Sequence, residues 1–339
     1  MKHLLESDNL IKKLADMWIR LGYKSDDPST WKAERVNMPH HKSEPVKTFA
    51  PKAWAAMCEL VGGQERLHPD SHSWMVCTAV LKHDIKTNKI QDNLIVNFGD
   101  LSGDNSIPNP HDYKGWHTDG DFFTHYLDSP EQALLVLPLF TDIKPHGGGT
   151  IICPDGIEKM ATQLYNHPEG VSPRMVPRAE QTEDPDKEDL SIFRGWAAQS
   201  TNFVEATGEV GDVYLLHPFM LHTASRNTLR TLRIITNPNL AVAEPFNFNR
   251  KDEKDYSLVE LKTLKALGKK SLPDWKATGP RETVEPARVE IQKKMLELEN
   301  RRLAGEIVEG TALDGLNGVN SAAPRRSKEN MPRPVSAVA

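Results

Sequence analysis

Apolar and polar positions change rhythm twice along the 339 residues. Near the start, Leu5, Leu10, Ile11, Leu14, Trp18 and Leu21 recur at helical spacing, which predicts an amphipathic helix over 5–22. Residues 24–48 lose that spacing and carry Pro28, Pro39 and Pro45, the pattern of an irregular or partly helical connector. PKAWAAMCELVGG then predicts a second helix. Proline is tolerated in a first helical turn, and Gly62-Gly63 stops the helix. From about residue 72 the texture becomes short runs rich in Val, Ile, Leu and Phe between turn residues: 73–81, 92–100, 115–127, 132–143, 149–154, 211–225 and 230–240. Runs of this length and composition predict strands, and this many of them predict a β-sandwich or barrel. Residues 157–167 interrupt the strands as a helix. Residues 171–192, rich in proline and acids, read as a mobile surface loop. After residue 250, helical spacing returns over 256–268 and over the charged stretch 285–307. The last thirty residues lack any period and read as disordered.

These changes divide the chain into an N-terminal helical region packing on the core (1–71), a β-rich core (72–250), C-terminal helices (251–309) and a disordered tail (310–339). The 285–307 helix offers a surface for a homodimer. Composition narrows the function classes. The net charge is −5, so no nucleic-acid-binding surface is expected. No apolar run reaches the ~18 residues of a membrane span. The N-terminus mixes acids and lysines without the apolar stretch of a signal peptide. Three scattered cysteines, Cys58, Cys77 and Cys153, make neither a disulfide framework nor a cysteine-rich zinc site. A reduced, cytoplasmic protein is the expectation.

The candidate chemistry lies among thirteen histidines. A non-haem iron site needs two histidines and one carboxylate on one face, with the remaining positions open. Residues two apart on a strand share a face, so His-x-Asp or His-x-Glu supplies two ligands from one segment. Three such pairs exist. His68-Pro69-Asp70 and His167-Pro168-Glu169 contain proline and read as a turn and a helix stop. His117-Thr118-Asp119 sits between strand-like runs with aromatics on both sides. A third ligand then comes from GDVYLLHPFMLHTASRN, where His217 and His222 are the choices. Arg233 follows His222 by eleven residues and opens another strand. Its fork of donors suits a carboxylate, with Arg230 the alternative at the strand start. Asn97, on the strand before His117, is placed to reach the same cavity.

His117-x-Asp119, His222 and Arg233 together resemble the pattern of the iron(II)- and 2-oxoglutarate-dependent dioxygenases. Within them, GDVYLLHPFMLHTASRN…LR is similar to the distal motif of the phytanoyl-CoA dioxygenase-like group. GGGT at 147–150 resembles the GGxT strand of the related taurine dioxygenases, which implies a cosubstrate contact for Thr150. The resemblance spans roughly residues 75–250. Ala224 stands where the group often has serine, and Cys153-Pro154-Asp155-Gly156 shares only part of the group's proline-glycine-serine-histidine run.

The resemblance implies a double-stranded β-helix, a cupin-like jelly-roll, buttressed by the N-terminal helices, the 157–167 helix and the C-terminal helices. It implies Fe(II) held by His117, Asp119 and His222, with 2-oxoglutarate clamped by Arg233 and O2 as oxidant. The reaction implied is hydroxylation, or a related C–H oxidation, of a small organic metabolite. Related halogenases replace the carboxylate with a small residue, so Asp119 points away from halogenation. Two rivals use the same residues: a non-catalytic metal-binding jelly-roll and a zinc-dependent hydrolase or isomerase. No HExxH helix supports the latter. Arg233 separates the readings, because a bare metal site needs no carboxylate clamp.

Overall fold

The computed structural model describes residues 22–38, 42–76, 94–100, 102–181 and 189–286, with a few isolated positions beyond. In chain order these form β1 (Arg35–Met38), β2 (Lys42–Pro45), α1 (Val46–Phe49), α2 (Pro51–Val61), β3 (Ser73–Val76), β4 (Leu94–Asn97), β5 (Leu134–Pro138) and β6 (Thr150–Cys153). They continue as α3 (Gly156–Asn166), α4 (Ser191–Ala198), β7 (Val204–Glu205), β8 (Val213–Leu216), β9 (Leu221–Ala224), β10 (Arg233–Ile235), β11 (Asn239–Leu240) and α5 (Leu258–Ala266).

Two antiparallel sheets organise the core. β4 lies between β1 and β10, so that Arg35, Asn97 and Arg233 stand in one row. β5 lies between β8 and β11. A bridge between Leu139 and Ile235 falls in the same register as the Leu135–Asn239 and Leu134–Leu240 pairs. β10 and β11 are therefore one extended run, and the first sheet has the order β1, β4, β10/β11, β5, β8. In the second sheet His117 bridges His222 of β9, β9 pairs with β6, and β6 pairs with β7. Side chains alternate between faces along a strand, and direct cross-strand partners share a face. Arg233, Ile235 and Asn237 therefore share one face of the first sheet. His222, Ile152, Ala224 and Thr150 share one face of the second. Both sheets contribute to one buried cluster, including Leu135, Leu137 and Ile235 from the first and Ile151, Ile152, Cys153 and Leu221 from the second.

Helices cover this core. α2 opens on Pro51, ends at Gly62 in the left-handed conformation (φ 91°) and buries Ala53, Trp54, Met57 and Val61. Each of its larger buried side chains contributes ~1.5–3 kcal/mol relative to exposure. α3 docks on β9 through Gly156, where a Cβ would lie 2.2 Å from the Cβ of Leu221. α5 touches both α2 and α3. It starts with Ser257 and Glu260 in a reciprocal capping box.

Several expectations shift. The 24–48 connector contains β1 and β2, so the N-terminal region is not purely helical. Val36 is fully buried between Arg35 and Asn37, and its strand extends the first sheet at β4. β3 pairs with β2 and joins neither large sheet. The 115–127 run is mostly irregular, with single bridges at His117, Phe123 and His125, because turns interrupt it. The 171–192 segment is no solvated loop at its start. Val171 exchanges both backbone hydrogen bonds with His125, and Val171 and Met175 are fully buried. α4 was not expected at all. The helix at 5–22 lies outside the described residues. So do most of 285–307 and the tail beyond 310, apart from Arg325–Arg326, which pair with Val284–Glu285. Among the described residues no helix is long and apolar enough to cross a membrane.

Glu260 is fully buried and ties the C-terminal helix down. Its carboxylate accepts from Arg250 Nε (2.9 Å) and Nη2 (2.7 Å) and from the backbone N–H of Asn247 (2.8 Å) and Ser257 (2.7 Å). Burial pushes its pKa up, but the hydrogen bonds of Arg250, Ser257 and Asn247 outweigh this and hold it below 4.5. A carboxyl depressed in the folded state stabilises fully above its unfolded value, and that contribution is lost as pH falls through the folded value. Glu260→Gln is expected to lower stability by about 1–3 kcal/mol at neutral pH. It should also flatten the acid limb below about pH 4.5. Thermal unfolding of both proteins across that range checks this, and parallel curves would refute it.

Candidate metal centre

The backbone assembles the histidine pair. His117 and His222 exchange both N–H···O bonds, at 3.0 and 2.9 Å, and their rings lie 4.3 Å apart. Each ring is anchored by its Nδ1 to the carbonyl two residues upstream: His117 to Gly115 (2.7 Å) and His222 to Met220 (2.9 Å). A carbonyl only accepts, so each Nδ1 carries a proton and Nε2 is the nitrogen left to face the site. Both Nε2 atoms face the same oxygen, Oδ1 of Asp119, at 3.5 and 3.4 Å. Asp119 arrives on a turn completed by Gly120 (φ 109°), where a Cβ would lie 2.6 Å from the His125 ring.

The three donor atoms lie within 4.8 Å of one another. Donors about 2.0–2.2 Å from one ion sit roughly this close together. The set is compatible with iron binding. Without a cation, protons serve the same electrostatic purpose. Burial opposes charge on Asp119, but the charge of His222 and the hydrogen bonds of both histidines hold its carboxyl well below the usual carboxylate range. Burial likewise opposes charge on His117, yet Asp119 raises it above its ordinary value. The His117 side chain is 40% exposed and that of His222 only 7%, so the centre opens to solvent at His117.

Arg233 lies deep in the first sheet and is 1% exposed. Its Nε donates to the Gly148 carbonyl (2.9 Å), while Nη1 is buried without a partner. Burial, and then the like charge of Arg35, push its pKa down to about 9, which still leaves it charged at neutral pH. Arg230 is exposed, so Arg233 is the buried member of the pair. Thr150 is buried at the head of β6, opposite Ala224 and on the face shared with His222. Gly148, two residues earlier, has φ +82°, and a Cβ there would lie 2.8 Å from the Cβ of Asn227.

The supporting residues were less visible. Glu205 of β7 holds the glycine-rich loop, accepting from His146 N (2.9 and 3.1 Å) and Gly149 N (3.2 Å). Asn227 donates to Thr231 O (2.6 Å) and Asn97 Oδ1 (3.4 Å), which places Asn97 beside the clamp. Asn237 donates to Asp119 Oδ2 (3.2 Å). Carboxamides of this kind have no sequence signature until strand register brings them to a ligand.

Other described histidines have different surroundings. His217 Nε2 meets Thr263 Oγ1 (3.1 Å) and Val259 O (3.3 Å), and burial lowers its pKa to about 3. His125 stacks on Phe123 and bonds Gly120 O (2.7 Å). His68 and His167 pair with Asp70 and Glu169 of their own tripeptides. His111 meets Ser200 O (2.9 Å), and His146 is an exposed loop residue. Trp116, Phe123 and Tyr126 are buried core. A cleft of ≈ 190 Å³ lined by Tyr113, His146, Ile151, Phe203 and Glu205 does not include the triad.

No protein-family profile matches the chain, and no curated protein matches it in sequence. Among solved structures it is similar to SnoN, described as a non-haem α-ketoglutarate-dependent epimerase from nogalamycin biosynthesis (15% identity over 71% of this chain and 76% of that one, TM-score 0.33). It is similar to EctD from S. alaskensis, solved with 2-oxoglutarate and 5-hydroxyectoine (14% identity, 72% and 71%, TM-score 0.31). It is also similar to AviO1 from Streptomyces viridochromogenes (12% identity, 70% and 86%, TM-score 0.30).

Replacing His117, Asp119 or His222 with alanine is expected to abolish tight binding of one Fe(II) per chain, while His217→Ala leaves it intact. Binding should weaken as pH falls through the raised His117 value, because protons compete for Nε2. Anaerobic titration of the four variants checks both statements. Iron binding that survives His222→Ala would contradict the assignment.

Proposed function

We propose that the chain is a non-haem iron oxygenase that couples decarboxylation of 2-oxoglutarate to hydroxylation, or a related C–H oxidation, of a small organic metabolite. The strand orders described above suit a double-stranded β-helix, with β4, β10/β11, β5 and β8 in one sheet and the His117 segment, β9, β6 and β7 in the other. The observation that carries the reading is Arg233. A buried guanidinium with an unpartnered Nη1 is costly unless an anion joins it. A non-catalytic metal-binding jelly-roll or a zinc-dependent hydrolase or isomerase gives that charge no purpose, which favours the oxygenase over both rivals.

Iron and 2-oxoglutarate, when bound, would supply the oxidising chemistry. The residues would supply placement. His117 and His222 would offer Nε2, their orientation fixed by the Gly115 and Met220 carbonyls. Asp119 would complete the ligand set and leave three positions open. Arg233 would hold the far carboxylate of the diacid, with Nε kept on Gly148 so that the fork cannot turn away. Thr150, on the strand between Gly148 and Ile152, is proposed to contact the same cosubstrate. Asp119 occupies the position that a halide would need, so oxidation rather than halogenation is proposed.

The test is the weak visible absorption of an iron–2-oxoglutarate chelate formed without oxygen, followed by succinate release in air. Arg233→Met should require about 10–100-fold more 2-oxoglutarate for half-saturation, the equivalent of one or two charge-assisted hydrogen bonds. An iron-loaded, folded wild type with no absorption at saturating 2-oxoglutarate overturns the proposal.

A further inference from the structure

We infer that Asn237 is the positioning residue of the metal centre: its amide holds one oxygen of Asp119 so that only the other is offered to an ion. The inference rests on the metal-centre reading above and deepens it. The two carboxylate oxygens already have separate surroundings. Oδ1 faces both histidine Nε2 atoms at 3.5 and 3.4 Å, and Oδ2 accepts from Asn237 Nδ2 at 3.2 Å. A carboxylate that is free to turn about its Cβ–Cγ bond can grip an ion through both oxygens and fill an extra coordination position. With Oδ2 engaged, Asp119 stays a one-oxygen ligand and that position stays open.

Asparagine suits the task chemically. Its amide donates without adding charge beside a cation site, which a lysine or arginine would do. Its location is equally defined. Asn237 is half-buried on the run that carries Arg233, four residues further along and on the same face. The Leu139–Ile235 and Leu135–Asn239 pairs bracket it in one register with no bulge between them. About 13 Å of extended backbone therefore separates the anion clamp from the residue that orients the carboxylate. One strand sets both ends of the site, and a one-residue slip would turn both side chains away together.

The test uses the full-length metal-free protein and Co(II) alone, read by its visible absorption and by equilibrium dialysis. His117→Ala serves as the blank. Asn237→Leu, which is close in volume and has no donor, is expected to weaken Co(II) binding by about 10–100-fold. It should also change the shape of the absorption envelope, because Asp119 is released to bind through both oxygens. Thermal unfolding of the metal-free variant should stay near that of wild type, which a purely structural role would not predict. Should the leucine variant not fold, Asn237→Ala carries the same comparison. Wild-type affinity with an unchanged spectrum in a folded variant overturns the assignment of Asn237 and leaves the metal centre standing. A wild type that binds no Co(II) overturns the metal centre itself, and the assignment with it.

Discussion

A guanidinium taken out of water keeps its charge and loses its solvent. Arg233 is in that state at the centre of the first sheet, and the interior is arranged around it. β4 sets Asn97 against it, Gly148 turns a carbonyl toward its Nε, and the absence of a side chain at Gly148 lets Asn227 approach. None of these groups is charged, and the charge that acts on it, Arg35, has the same sign. An apolar residue in this place would pack at lower cost. The position makes sense for a protein whose interior receives an anion.

The candidate ligands His117 and His222 sit on the opposite sheet, and backbone carbonyls rather than acidic side chains fix the orientation of each imidazole. A carbonyl two residues upstream moves with its own strand. The orientation of the two imidazoles is thereby a property of the pairing between His117 and His222. Glu205 extends the same logic to the glycine-rich loop by capping its N–H groups from the neighbouring strand β7. Sheet register thus links Arg233, the glycine-rich loop and the two histidines.

Much of this was legible in the residues. Pro51 and Gly62 bound their helix as helix-end chemistry requires. The strand-like runs from 92 to 240 supplied most of the strands in both sheets, and His117, Asp119 and His222 converge as their spacing suggested. What escaped has identifiable causes. β1 alternates over only four residues, too few to outweigh the prolines around it, and it gains its partner β4 from far along the chain. α4 has no N-cap hydrogen bond from Leu190 and contains Gly195, so its sequence looks like loop, and burial of Phe193 and Ala197 decides its form. The 115–127 run had strand composition, but a bend at Asp119 and a turn at Asp121–Phe122 break it. Glu205, Asn227 and Asn237 are common polar residues whose roles depend on strand pairing alone.

The pairing of His117 with His222 also sets a timetable for synthesis. The two histidines are separated by about a hundred residues, and the arginine comes later still, so loop-closure entropy must be overcome before any of them can meet. A chain emerging from the ribosome cannot bring the triad together until β9 has been made. β10 then inserts beside β4, one of the first core strands synthesised, and closes the sheet. A nascent or truncated chain ending before residue 222 lacks one of the three residues whose donor atoms converge, so the triad cannot form in it. The meeting of the two histidines is in this sense a mark that the second sheet is complete.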